Sequence, residues 1–349
     1  MKLEQVREIA NAVLYEGYLL YPYRQSAIKN RTRWTFGGVY PRAYSEANGE
    51  IEPWTMRTEC LLEGEAEHIE FDITVRFLHL LMRTVVCPDA MKEERVDVGK
   101  MPSVWGVASG LADEPLQEGT EREVSVQALA LKDVLLAPQR VEFEFPAISS
   151  AGCLPNASDV KVMREQQALC GVLVFSAERV ATTVYKLSVA IENTTSVTSA
   201  VTGRRDAIVF QSFISTHTIL QVRQGAFISL IEPPEEQQSL VSGCHNLHTW
   251  PVLVGSQGEH NMLLSSPIIL YDYPQIAPES PGELFDSGEI DEILSLRILT
   301  LSDEEKAQMR QDERTRAILE RTEALTPDQF MQMHGTIREM RPISEGEKA

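Results

Sequence analysis

Apolar side chains near the start of the chain recur at helical spacing: Val6, Ile9, Ala10, Val13, Leu14, Gly17 and Tyr21 fall three or four positions apart. Pro22 ends that pattern, because it lacks an N–H and its ring crowds the preceding turn. From Trp34 to about Tyr271 the period shortens to two, in β-branched and aromatic runs punctuated by Gly, Pro, Asn and Asp. Val124, Val126 and Ala128 alternate with polar neighbours, as do Val141, Phe143 and Phe145 and the residues from Thr183 to Ile191 before Asn193-Thr194-Thr195. Such alternation predicts half-buried strands. The runs Ala207 to Ser215, Thr218 to Val222 and Ala226 to Ile231 continue the series as expected strands, and Pro267 to Tyr271 is the last. Pro233-Pro234 marks a loop between them, since two consecutive prolines cannot donate to a ladder.

Beyond Tyr271 the texture changes again. Residues 272–288 are proline-rich and acidic, which suits an extended linker. Ser287 can cap a helix whose apolar face is Ile290, Ile293, Leu294 and Ile298; Ser302-Asp303-Glu304-Glu305 has capping-box form, and Thr326-Pro327-Asp328 opens a further helix. The expected organisation is an N-terminal helix over 1–22, a β-rich body over 23–271 of one large or two small sandwich-like domains, the linker, and a helical tail over 289–349. The expected fold class is mainly β, an antiparallel β-sandwich-like core with helices at both ends, hence α+β overall.

Composition narrows the function. With 51 acidic against 32 basic side chains the formal charge is −19, which argues against a nucleic-acid partner because phosphate binding requires a net basic face. Charges at Lys2, Glu4, Arg7, Glu8 and Glu16 interrupt any signal-peptide core, and the most apolar window, 71–87, contains Asp72, Arg76, His79 and Arg83. A cytoplasmic protein without membrane insertion is therefore expected. Five widely spaced cysteines, an odd number, fit reduced thiols there.

Candidate chemistry is sparse. Cys244, His245, His248 and His260 are good ligand types for zinc or another transition metal, and Gly243 could supply the turn needed to bring adjacent Cys and His to one ion. The competing reading makes them ordinary loop residues near a strand end, with no cofactor. Ser215 and His217 would share a strand face, which admits a nucleophile and base, but no orienting carboxylate can be assigned from sequence, and a structural histidine is the simpler expectation. Phosphate-loop, dinucleotide, zincin and nucleophile-elbow signatures are absent.

Charge is unevenly spread. Between Gly17 and Ser45 there is no acid, while Arg24, Lys29, Arg31, Arg33 and Arg42 are interleaved with Tyr21, Tyr23, Trp34, Phe36, Tyr40 and Tyr44. Such a segment can hold an anion, or dock internally on an acidic partner. From Tyr271 to Glu304 nine acids stand against one base, Arg297, a local net of −8, so each stretch is the other's expected partner. Tyr21, Tyr23, Trp34, Tyr271, Tyr273 and Pro274 are candidates for a partner surface, since tyrosine offers rigid area with a polar tip and proline lowers the entropy lost on docking. Packing on the protein's own sheet is the alternative.

The strings Glu16 to Arg24, Asn30 to Trp34, Trp250 to Val254, Ser265 to Gly282 and Phe285 to Leu294 resemble a family of uncharacterised soluble bacterial proteins associated with gene clusters for uptake [NiFe] hydrogenases. The resemblance implies an accessory or assembly role, with a hydrogenase subunit or maturation factor as partner, and carries no catalytic residues. A non-enzymatic interaction protein is the leading expectation; a metal-binding protein or metal-dependent enzyme using the Cys/His cluster, and an anion-binding module in segment 21–44, are the alternatives.

Overall fold

The computed structural model describes residues 6–11, 14, 37–86, 116–154, 157–197, 205–275, 298–299, 301–303, 306–307, 310 and 313–326. The chain forms two compact units, one of residues 35–273 and one joining residues 1–34 with 274–349. The two ends thus share a unit that the sequence divides into helix, linker and tail. Within it, residues 6–11 are helical with Val6 and Ala10 fully buried, and a helix runs Glu313–Glu323 with Leu319 buried. Leu14 and residues 298–299, 303 and 306–307 are helical as well, with Leu14 and Ile298 fully buried, whereas residues 289–297 and 327–349 of the expected tail lie outside the described ones.

The larger unit is built from β1 (Thr55–Gly64), β2 (Glu70–Val86), β3 (Leu116–Ala130), β4 (Gln139–Phe145), β5 (Ile148–Leu154), β6 (Ala157–Gln166), β7 (Leu169–Arg179), β8 (Val184–Asn193), β9 (Ile214–Arg223), β10 (Gly225–Ile228), β11 (Trp250–Leu253) and β12 (Met262–Ser266). Two short helices accompany the strands, α1 (Arg42–Ala47) and α2 (Leu131–Leu136). A five-stranded sheet runs β10-β1-β8-β7-β4, and a seven-stranded sheet runs β11-β12-β9-β2-β6-β5 with β3 flanking β2. Every pairing between these strands is antiparallel, as the many short strands without intervening helices predict.

The inner faces of both sheets share one core. β1 contributes Met56, Cys60 and Leu62, all at even positions, while β2 contributes Phe71, Ile73, Val75 and Phe77 and β8 contributes Tyr185, Leu187, Val189 and Ile191, each of these two sets at every second residue. Phe77, Phe143, Phe145 and Phe213 form an aromatic cluster, with Phe77 and Phe213 centroids 4.5 Å apart. Gly171 lies beneath it: a Cβ there would come 2.3 Å from Phe143 Cζ and 2.8 Å from Phe213 Cζ. Only glycine leaves the rings that room.

β2 organises the seven-stranded sheet. Along one edge it pairs β3 from Glu70 to Arg83; along the other it pairs β9 up to Leu78 and then β6 from Leu81 onward. The buried amide of Asn193 ties the loops around this body: its Nδ2 donates to the Val39 and Gln211 carbonyls, each at 2.9 Å, and its Oδ1 accepts from Thr195 N at 3.0 Å.

Three expected strand features change. Residues Arg205–Ile208 and Val209–Gln211 are short helical turns, and β9 starts only at Ile214. The short apolar run Ala207 to Phe210 has no period to distinguish buried helix from strand, and the buried Ile208, Val209 and Phe210 serve either. The last strand is Met262–Ser266, whereas residues 267–271 are irregular after Pro267. Ala128 departs from the alternation of Val124 and Val126: it is exposed with φ 55°, at a shift of register between β2 and β3, where its N–H donates to Asp72 Oδ1 at 2.7 Å. No helix among the described residues is long and apolar enough to cross a membrane.

Candidate functional site

Cys244, His245 and His248 lie on a loop that is laid along β1. Glu59 grips it: its carboxylate accepts from His245 N at 2.8 Å, while its backbone N–H donates to Asn246 Oδ1 at 2.8 Å. Arg57 and Leu247 exchange backbone hydrogen bonds beside it. His248 completes the turn with φ 61°, and Thr249 then bonds Ser265 Oγ, which also accepts from Thr58 Oγ1, so this end of the loop links β1 to β12. His245 contributes its backbone rather than its ring to these contacts. Cys244 packs with Leu61, Val184 and Ile228, and burial and the nearby Glu59 push its thiol up to about 11, against a smaller opposing effect of Lys186. Those surroundings favour thiol over thiolate. His260 is held elsewhere, its Nδ1 3.0 Å from the Phe227 carbonyl. Among the described residues no three of His, Cys, Asp or Glu gather in a metal-binding group.

Ser215 and His217 are both buried in β9. The His217 Nδ1 lies 3.1 Å from the Ser215 backbone carbonyl, and Ser215 itself has φ 54° where β9 breaks register with β2. Burial, together with the charge of Arg76, pushes His217 down to about 3, so it stays neutral. The pair is thus joined through main chain, in a core position.

Of the basic aromatic segment, Arg24, Lys29, Arg31, Arg33, Tyr21, Tyr23 and Trp34 lie outside the described residues, as does most of the acidic stretch expected to face them. Arg42 is described: on α1 it pairs with Glu46 at 2.7 Å and lies 4.5 Å over the Trp54 ring. Its charge is matched within its own helix.

The strand-edge residues Tyr271, Asp272 and Tyr273 divide the roles that their composition left open. Asp272 bridges the sheets: Oδ1 accepts from Leu253 N on β11 at 2.7 Å, and Oδ2 accepts from Ser229 Oγ just beyond β10. Tyr273 turns inward with φ 56°; its N–H donates to the Leu253 carbonyl at 2.7 Å, its hydroxyl donates to the Glu259 carbonyl at 3.0 Å, and its ring packs on the core. Pro274 is half-buried. These contacts occupy the outer groups of Leu253, and Pro251 offers no donor, so the β11 edge is closed to further strand pairing.

What remains outward is side chain. Tyr271 is 84% exposed, Ile269 72% and Trp250 44%, while Leu247 is exposed close by in sequence. Trp250 stands opposite Ser266 in the β11–β12 register, and Ile269 and Tyr271 follow Ser266 within five residues. Sequence texture pointed to Tyr271; Trp250 and Ile269 were missed as surface residues because their apolarity reads as core. No protein-family model matches the chain, and no curated protein matches it at a significant level.

Proposed function

We propose that this is a non-enzymatic interaction protein of the cytoplasm, an accessory or assembly factor in which a β body with a helical C-terminal tail presents the rim of Trp250, Ile269 and Tyr271 to a protein partner. The observation that carries the reading is the contrast within one segment. Asp272 and Tyr273 are locked by four hydrogen bonds and core packing, which holds the adjacent Tyr271 in place while leaving it exposed. Rigid, exposed aromatic and aliphatic side chains beside a closed strand edge supply contact area at low ordering cost. The resemblance stated above supplies the class of partner, a hydrogenase subunit or maturation factor.

The test places a photo-crosslinking residue in turn at 250, 269 and 271, and at Ile51 and Leu136, which are as exposed but lie elsewhere. In cells of the native host, the three rim positions should capture one common protein that the two control positions do not. Equal capture at all five, or none at the rim, would refute the reading.

A further inference from the structure

The chain passes between the two sheets twice at one corner. β4 ends at Phe145 and β5 begins at Ile148; β6 ends at Gln166 and β7 begins at Leu169. Registers Ile148↔Gln166 and Phe145↔Leu169 keep the two crossings side by side. Here β2 has left β9 at Leu78 and met β6 at Leu81, and His79 lies in the interval. Its imidazole is fully buried, and neither ring nitrogen makes a hydrogen bond. On β3, Arg122 stands opposite Phe77 and Thr120 opposite His79, so Arg122 and His79 are diagonal neighbours on the inner face.

Arg122 is half-buried with its guanidinium 4.7 Å over the Phe145 ring. Its Nη2 donates to Gln166 Oε1 at 2.9 Å, and Gln166 Nε2 in turn donates to the His79 carbonyl at 3.1 Å. Its Nε is buried and unbonded, and among the described residues no carboxylate pairs with it. Two other sheet arginines differ: Arg76 pairs with Glu121 at 3.1 Å and Arg223 with Asp72 at 2.6 Å. An arginine without a counter-ion, in a chain of charge −19, is costly to bury, and its remaining donors form a fork suited to a carboxylate.

From this cation a strip of partly exposed apolar side chains continues along β3 and β4. Among the described residues β3 pairs only β2 and β4 pairs only β7, so both are edge strands there; they carry the partly exposed Val124, Val126, Phe143 and Val141. α2 closes the far end with Leu131 and Val134 buried. From residue 122 to 126 the strand rises about 13 Å. We propose that this corner binds a small monocarboxylate with an unbranched apolar body, its head group on Arg122 beside His79 and its chain along Val124, Phe143 and Val126. The charge of the head group complements the unpaired guanidinium, and the strip excludes a second charge. The site is independent of the Trp250 rim.

Sodium decanoate is the probe, with decanol and decyltrimethylammonium as matched chains of other charge and acetate as the bare head group. Decanoate, below its micellar concentration, should raise the melting temperature of the full chain through linkage, and should shift the Arg122 Nε–H signal in arginine-labelled protein. Arg122→Gln should bind decanoate about 10- to 100-fold more weakly, the range for losing one charge-assisted contact. Arg122→Lys keeps the charge without the fork and should lie between them. Should Arg122→Gln not fold, Arg122→Lys and the wild-type preference among the four probes decide. No stabilisation by decanoate, an equal effect of decanol, or affinity unchanged by substitution at Arg122 would overturn the proposal.

Discussion

Acidification from pH 7.5 to 5 should cost this protein much of its stability through two buried histidines, above the ordinary carboxylate range. Two imidazoles, His79 on β2 and His217 on β9, are fully buried. Burial first, then Arg122, pushes His79 down to about 4, with the Gln167 backbone pulling weakly the other way. Burial first, then Arg76, pushes His217 down to about 3, against its contact with the Ser215 carbonyl. Arg76 is itself flanked by Glu121 and Glu123, which lie on the same outer face. In the unfolded chain both rings take up a proton near pH 6.5, while the native protein does not. The unfolded state then binds more protons, so stability falls as pH falls, starting near 6.5 and continuing toward the native values. At pH 5 each unfolded histidine is favoured by about 2 kcal/mol, or roughly 4 kcal/mol for the two, against a total of about 5–15 kcal/mol for a typical domain. Asp72, held below the usual carboxylate range chiefly by Arg223, adds its own loss only at lower pH, so the window isolates the histidines. Urea unfolding across that range should show the midpoint falling with an unchanged slope. The variant His79→Gln with His217→Gln should lose most of the pH dependence, and imidazole spectra of the wild type at pH 5 should still show two neutral rings. A flat stability profile between pH 7.5 and 5, or protonated rings at both sites, would refute the reasoning.

Replacing Asp272 with Ala leaves the buried Leu253 N–H and the Ser229 hydroxyl without their acceptor, and should lower unfolding free energy by about 1–3 kcal/mol, read as a fall in urea midpoint. Asn193→Ala removes three hydrogen bonds from a fully buried site and should cost about 3 kcal/mol or more by the same assay, with Asn193→Asp no better because two carbonyls would then face a carboxylate.

Much of the body was legible because its strands are half-buried. The alternation at Val141, Phe143 and Phe145 and from Thr183 to Ile191 survives as β4 and β8, since one face of each meets core and the other is more open. Legibility failed where both faces are buried or where a side chain serves the backbone. Ala207 to Phe210 is apolar throughout and folds within helical turns before β9, and Ala128 leaves the pattern where Asp72 accepts its N–H at a bulge. The loop of Cys244 and His245, whose side chains are metal-ligand types, is laid along β1 by Glu59, a residue 185 positions from Cys244 with no motif linking them.

What the sequence determined alone was local: strand periodicity, prolines that end elements, the acidic balance, and the unusual Tyr271 to Pro274 segment. Which of those residues face a partner and which hold the fold was decided by the tertiary structure, because both kinds have the same chemistry. Asp272 and Tyr273 are structural only because Ser229, Leu253 and Glu259 arrive beside them, and Tyr271 is exposed only because its neighbours are so held. That Arg122 has no carboxylate partner among the described residues is a property of the same kind. Its strand neighbours Glu121 and Glu123 are adjacent in sequence, yet strand geometry turns both to the opposite face, where Glu121 pairs with Arg76 at 3.1 Å.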